Sequence, residues 1–200
     1  MRDGRGINRR RRDLVVATTF TSGVAGVGTA FPLVNFLLPS ERAKALGAPV
    51  EVDIGTLAPG RKMTIEWRGQ PVWILHRTRE MLVAVHADEP KLADPKSERK
   101  PGEVTPAYAK NEYRSIKPEF LVVFGVCSHL GCSPQDKFQN GKELFDPEWH
   151  GGFYCPCHGA LFDLAGRVHK NKPAPDNLTV PPHRYLGDSK IVIGEDKKEG

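Results

Sequence analysis

Between Leu14 and Leu38 the chain reads LVVATTFTSGVAGVGTAFPLVNFLL, 25 consecutive positions without a charged side chain. Its few polar residues follow no period that would leave one wet helical face. At about 1.5 Å per residue the stretch predicts a helix of roughly 37 Å, enough to cross a hydrocarbon core of about 30 Å with some tilt. A cleavable signal has an apolar core of only about 7–15 residues, so the pattern predicts a retained anchor. Pro32 and Asn35 sit uneasily in lipid and predict a kink or a packed neighbour at the outer end.

Past the anchor the pattern changes twice. PSERAKALGAP (39–49) is small and polar with a proline at each end, and reads as a flexible neck. From Val50 onward the period falls to two. VEVDI predicts one strand, and MTIEWRGQPVWILHR predicts two strands about a turn at Arg68–Gln70. FLVVFGV (120–126) predicts a strand buried on both faces that leads into Cys127. Residues 87–119 are rich in Pro and Lys and predict a surface excursion with a helical turn or two. FDLAGRV (162–168) predicts a tight hairpin with Gly166 at positive φ. NLTVPPHRYL and KIVIG predict the last strands. Many short strands punctuated by Gly and Pro predict an all-β fold, an antiparallel sandwich or small barrel, behind one N-terminal transmembrane helix.

Charge sharpens the topology. The formal charge is +5, but residues 1–13 (MRDGRGINRRRRD) carry six arginines and two aspartates, leaving about +1 for the rest. That distribution excludes a nucleic-acid surface. It predicts a cytoplasmic N-terminus and a domain on the far side of the membrane. Arg11-Arg12 followed by Asp13, Leu14 and Val15 resembles a twin-arginine export signal, a route for folded proteins that already hold a cofactor. The expected organisation is a basic tail at 1–13, an anchor at 14–38, a neck at 39–49 and a periplasmic domain at 50–200.

All four cysteines lie in two boxes, CSHLGC (127–132) and CPCHGA (155–160), each with one histidine. Cys127 with His129 and Cys155 with His158 supply two thiolates and two imidazoles. Cys132 and Cys157 are then left over, and an exported domain has a use for such a pair in a disulfide. Closing a loop of about 25 residues, it is worth roughly 3 kcal/mol if unstrained. A zinc site with two Cys and two His remains open on this reading, although zinc boxes usually contribute like pairs. His76, His86 and His169 have no such setting and read as surface or strand residues. Asn177-Leu178-Thr179 is formally a glycosylation sequon and carries no meaning in a bacterial-type chain.

The two boxes resemble those of the Rieske iron–sulfur family, CTHLGC…CPCHGS, at ten of twelve positions. The tail, span and neck, together with EWRGQPVWILHRT, RSIKPE and FDLAGRVHKNKPAPDNLTVPP, are similar to the iron–sulfur subunit of bacterial cytochrome bc complexes. The resemblance implies a cluster-binding part at about 125–180 and one 2Fe-2S cluster. Cys127 and Cys155 would hold one iron, His129 and His158 the other, and Cys132–Cys157 would form a disulfide. It further implies His158 and His129 as quinol-facing ligands, Leu130 as an apolar guard on the docking face, and Gly131 and Gly159 as points of close backbone approach. Lys172-Pro173-Ala174-Pro175 would be a loop covering the cluster, with Pro173 and Pro175 as its rigid positions. Neutral imidazole in place of thiolate raises a cluster's potential, and oxidation acidifies the outer ring nitrogen, which links electron to proton transfer.

Three positions depart from the family pattern. Ser128 replaces a threonine and keeps a hydroxyl. Ala160 and Phe162 stand where quinol-oxidising members commonly carry serine and tyrosine, whose hydroxyls bond to sulfur. Each missing bond lowers the potential by about 45 mV, if roughly half of a charged hydrogen bond of about 1.5–3 kcal/mol differs between redox states.

The resemblance thus implies the electron-transfer subunit of a proton-translocating quinol–cytochrome c oxidoreductase. Its partners would be cytochrome b, a c-type cytochrome and quinol, in a homodimeric complex of the bacterial inner membrane. The competing expectations are the Rieske small subunit of an exported molybdenum oxidoreductase such as arsenite oxidase, and a structural zinc protein.

Overall fold

The computed structural model describes residues 9–99 and 105–196, so the first eight residues of the basic tail lie outside it. The remaining arginines of the tail begin helix α1 (Arg9–Leu37), which carries the whole apolar run except Leu38. None of its side chains is buried in the isolated chain. The hydroxyls of Thr18, Thr19, Thr21 and Thr29 all donate to carbonyls three or four residues back, which satisfies them within the helix and removes the penalty of placing them in an apolar medium. Pro32 lies inside the helix, where it removes one backbone donor. The helix is long and apolar enough to cross a membrane.

Residues up to Ala45 form one compact unit and those from Leu46 another. The neck differs from expectation. Residues Glu41–Leu46 form a short helix α2, begun by Ser40, whose Oγ accepts from the Ala43 N–H. The carbonyl of Leu46 accepts from Arg68 N–H, and that of Ala48 from Trp67 Nε1. Both bonds lie within the second unit.

That second unit holds three antiparallel three-stranded sheets. The first joins β1 (Val50–Asp53), β9 (Lys190–Ile193) and β8 (His183–Leu186), in that order. The second joins β2 (Lys62–Trp67), β3 (Gln70–His76) and β4 (Phe120–Phe124). The third joins β5 (Gln135–Lys137), β6 (Gly152–Cys155) and β7 (Ala160–Asp163). The expected β2–β3 turn is present, with Arg68 and Gly69 both at positive φ (52° and 71°), the pairing that suits a two-residue hairpin.

The second sheet is the middle layer. Val72, Ile74, Phe120 and Val122 join Val52, Ile191 and Ile193 in one core. Trp73, Leu75, Leu121 and Val123 face the other way, into a core with Phe153, Ala160 and Phe162. Burial on both faces is why FLVVF is unbroken by polar residues.

Two expectations are corrected. Helix α3 (Arg79–Ala87), capped by Thr78 whose Oγ1 accepts from Met81 N–H, follows β3 where no helix was expected. The 87–119 segment is more than a surface excursion, since Leu92, Ala109, Asp88, Asp94, Arg114 and Ser115 are all buried. Its expected helical turns are at Glu89–Lys91 and Ala107–Ala109.

Gly125 continues β4 toward the first cysteine box beneath the Trp73 ring, and a Cβ there would meet Trp73 at 2.2 Å. That ring is held by stacking on Phe153 at 5.1 Å and by Lys62 Nζ at 3.7 Å, so it cannot yield. Gly125→Ala is expected to lower stability by about 1–3 kcal/mol, read by thermal or denaturant unfolding.

Two buried histidines set a pH dependence. Burial holds both His169 and His183 below the ordinary imidazole value of 6.5. The unfolded chain then binds protons more readily, so stability is full above about pH 6.5 and is lost as pH falls toward the folded values. Asp88, raised above 3.8 by its burial, acts in the opposite sense. Unfolding midpoints should fall as pH drops below about 6.5, with a shallower slope in His169→Gln; an unchanged slope would refute the assignment.

Candidate metal centre

The two cysteine boxes fold into matching turns. Gly131 N–H donates to the Cys127 carbonyl at 3.0 Å, and Gly159 N–H to the Cys155 carbonyl at 2.9 Å. Both glycines sit at positive φ (82° and 76°), which a side-chain-bearing residue adopts only with strain. The first turn leaves the end of β4, and the second joins β6 to β7. Cys132, the last residue of the first box, and Cys157, the third of the second, are joined in a disulfide.

Inside this pair of turns the donor atoms separate by type. Cys127 and Cys155 are free and buried, with their thiols in contact. Burial pushes the Cys127 thiol up, and the neighbouring Cys155 adds to that rise, whereas the backbone N–H groups of His129 and Leu130 draw it down. His129 and His158 stand edge to face with ring centroids 4.7 Å apart, the first partly exposed and the second exposed. Leu130 between them is 71% exposed.

Two inner sulfurs and two outer nitrogens fit a two-metal group better than one tetrahedral ion. Ligands at about 2.0–2.3 Å from a single zinc crowd within about 4 Å of one another. Among the described residues the set that closes within 4.8 Å is Cys132, Cys155 and Cys157, three sulfurs. Two of those belong to the disulfide, which leaves Cys155 as the free thiol. A pair of thiolates on one iron and a pair of imidazoles on the other is the donor set of a Rieske centre.

A third loop closes on the boxes. Ser128 Oγ donates to the Asp176 carbonyl at 2.6 Å, tying the first box to the segment that follows Pro173 and Pro175. Both prolines are exposed, while Ala174 between them is buried. The Asn177 amide, formally a sequon, is buried and bonded to Val168 N–H and to the Asp94 carbonyl. Ala160 and Phe162 are fully buried. Ala160 pairs directly with Cys155 across β6–β7, and Phe162 with Phe153, so a methyl lies opposite Cys155 and a phenyl ring opposite Phe153.

The other histidines stay away from the centre. His76 ends β3 and bonds the Leu57 carbonyl through Nδ1. His86 is exposed on α3 beside Tyr113. His169 departs from the expectation of a surface or strand residue, being buried against Trp149 in an isolated bridge to Leu92.

Sequence reasoning missed a charged layer below the second box. Asp163 ends β7, fully buried, and its Oδ1 accepts from the N–H groups of Ala165 and Arg167. Its Oδ2 accepts from Arg167 Nε at 2.8 Å. Arg77 and Arg114 are buried alongside. Burial lowers each to about 10, so both remain charged near neutrality. The i,i+4 spacing of Asp163 and Arg167 in FDLAGRV was a signal for this pair; Arg77 and Arg114 gave none.

The family profile described as Rieske [2Fe-2S] domain matches residues 92–182. The ubiquinol-cytochrome c reductase iron-sulfur subunit of Allochromatium vinosum is 52% identical over 193 residues, covering 96% of this chain and 92% of that protein. The protein of the same name from Rhodospirillum rubrum is 38% identical over 187 residues, covering 92% and 91%. Among solved structures, a chain of a hyperthermophilic respiratory Complex III is similar at TM-score 0.44 and 25% identity, covering 88% of this chain and 98% of that one. Identity of this order along nearly the full length of both chains places the centre in known company: the chain belongs to the family of ubiquinol-cytochrome c reductase iron-sulfur subunits, with its Rieske [2Fe-2S] domain.

Proposed function

We propose that this chain is the membrane-anchored electron-transfer subunit of a quinol–cytochrome c reductase, taking an electron from quinol and passing it to a c-type cytochrome. The observation that carries the reading is the sorting of donors into a buried thiol pair and an outer imidazole pair, on two matching turns locked by Cys132–Cys157. The names of the relatives favour this reading over the small subunit of an exported molybdenum oxidoreductase.

When bound, a Rieske cluster supplies one-electron chemistry at a potential raised by its neutral imidazole ligands. Cys127 and Cys155, as thiolates, would hold one iron, and His129 and His158 would hold the other. The outer ring nitrogen of His158 is the proton acceptor toward quinol, and His129 is its companion. Leu130 offers an apolar contact to the quinol ring and sheds water from the docking face. Arginines at the N-terminal end of α1 favour a cytoplasmic N-terminus and a periplasmic domain. The partners are cytochrome b and a c-type cytochrome, in a homodimeric complex whose turnover moves protons across the inner membrane.

Ala160 bears on how strongly the centre draws electrons. Its methyl faces Cys155 across two strands, where a hydroxyl would donate to sulfur and favour the more negative, reduced state. Phe162 likewise brings no hydroxyl. The centre is therefore of lower potential than those with both hydroxyls.

Three experiments test this reading. The purified chain should show the visible and EPR spectrum of a Rieske cluster and co-purify with a b-type cytochrome; a colourless, EPR-silent zinc protein would overturn it. His158→Ala should abolish both the spectrum and quinol oxidation. In redox titration, Ala160→Ser should raise the potential by about 45 mV. No upward shift would refute the argument from the missing hydroxyl.

A further inference from the structure

The charged layer below the second box is more than packing requires. Arg114 Nη1 donates to the carbonyls of Ala165 and Gly166, and its Nη2 to Leu178 and to Thr105 Oγ1. Arg77 Nη1 donates to the Leu164 carbonyl, in line with them. Three successive carbonyls, 164 to 166, thus turn onto two guanidiniums at the end of β7. The room for this is made by Gly166, where a Cβ would meet Arg114 Nη1 at 3.2 Å. Arg114 itself is held at φ 49°, a strained conformation that persists only when its surroundings over-determine it.

Neutral donors would satisfy the same carbonyls without the desolvation that a buried cation costs. The charge itself therefore needs an explanation, and position offers one. Asp163 stands three residues along β7 from Ala160, which pairs with Cys155. At about 3.3 Å per residue that is roughly 10 Å, through protein rather than solvent. Arg114 faces Asp163 and Asp94 as well as Arg77 and Arg167, so three cations face two carboxylates there, while Asp88, which also interacts with Asp163, is paired with Lys91.

We propose that Arg77, Arg114 and Arg167, set against Asp163, are positioning residues that tune the electron affinity of the centre on the Cys155 arm. The guanidiniums favour the added electron and Asp163 opposes it. The inference rests on the cluster assignment above and adds that its potential is set from beneath as well as from its ligands. The fixed positive layer works against the loss of hydroxyls at 160 and 162.

The test is redox titration of the full-length holoprotein, monitored by EPR. A unit charge about 10 Å away, across an effective dielectric constant of about 20, changes the ratio of reduced to oxidised forms about 16-fold, which is about 70 mV for one electron. Arg114→Gln should lower the potential by about that amount, and Asp163→Asn should raise it by a similar amount. Arg114→Lys, which keeps the charge and drops the fork, should hold the wild-type value. Opposite signs separate charge from general loosening, which would move both neutral variants the same way. Shifts of the same sign, or no shift with the EPR signal intact, would overturn the proposal. Where Arg114→Gln fails to fold, Arg77→Gln carries the same expectation and the same refutation. A wild-type protein lacking the cluster signal would instead sink the cluster assignment itself.

Discussion

The carboxylate of Asp163 is the charge around which the lower half of the domain is arranged. It is fully buried, and it caps the turn at 163–167 through two backbone N–H groups while pairing with Arg167. Arg167 in turn donates to the Val85 carbonyl of α3, and Arg114 reaches the Leu178 carbonyl at the root of the proline loop. One carboxylate and its guanidiniums therefore connect β7, α3, the long excursion and the third loop. Removing one partner of such a set strands the rest as buried unpaired charge, at about 3–5 kcal/mol. Hydrophobic burial gives the domain its three layers, but this network fixes how the layer bearing the second box sits on the middle sheet.

The parts legible in the sequence were those whose signal is local. An uncharged run of 25 residues can hardly be anything but a long apolar helix. The Arg68-Gly69 turn and the Gly166 turn are both dictated by residues that accept positive φ. The cysteine boxes carried their own spacing, and the disulfide joins the pair left over once each box spends one Cys and one His. What was not legible depends on tertiary packing. Helix α3 reads MLVAV through its middle, a continuous apolar stretch with β-branched residues that resembles a strand until the Thr78 cap is noticed. Strand β5 is QDK, with no apolar alternation, and β6 opens on glycine. The excursion looked solvent-facing because its buried anchor, Arg114, is the kind of residue that composition assigns to the surface.

The middle sheet explains why the two ends of the domain differ. Its one face packs on β1, β9 and β8 through aliphatic and aromatic side chains, a core that needs no special chemistry. Its other face packs on the cluster arm through Trp73, Phe153 and Phe162, with guanidiniums below and thiols above. The first cysteine box is a direct continuation of β4, so the middle sheet's rigidity passes straight into the first ligand turn. The second box has no such support, since it sits on a small sheet of short strands. It is held instead by the disulfide at its tip and by the Asp163 network at its base.

That asymmetry matters for electron transfer. A centre that changes charge by one unit works best when its surroundings do not rearrange, because fixed dipoles and charges stabilise the reduced state without reorganisation at the moment of transfer. The tip must stay open, since His158 and Leu130 are exposed and water can reorient around them. The base, in contrast, is dry and its charges are locked by bonds to backbone carbonyls. The His158 imidazole at the tip is exposed, while the guanidiniums at the base are buried. The alanine at 160 lies between these two zones, against Cys155. Its side chain is a methyl, with no polar group to offer the neighbouring sulfur.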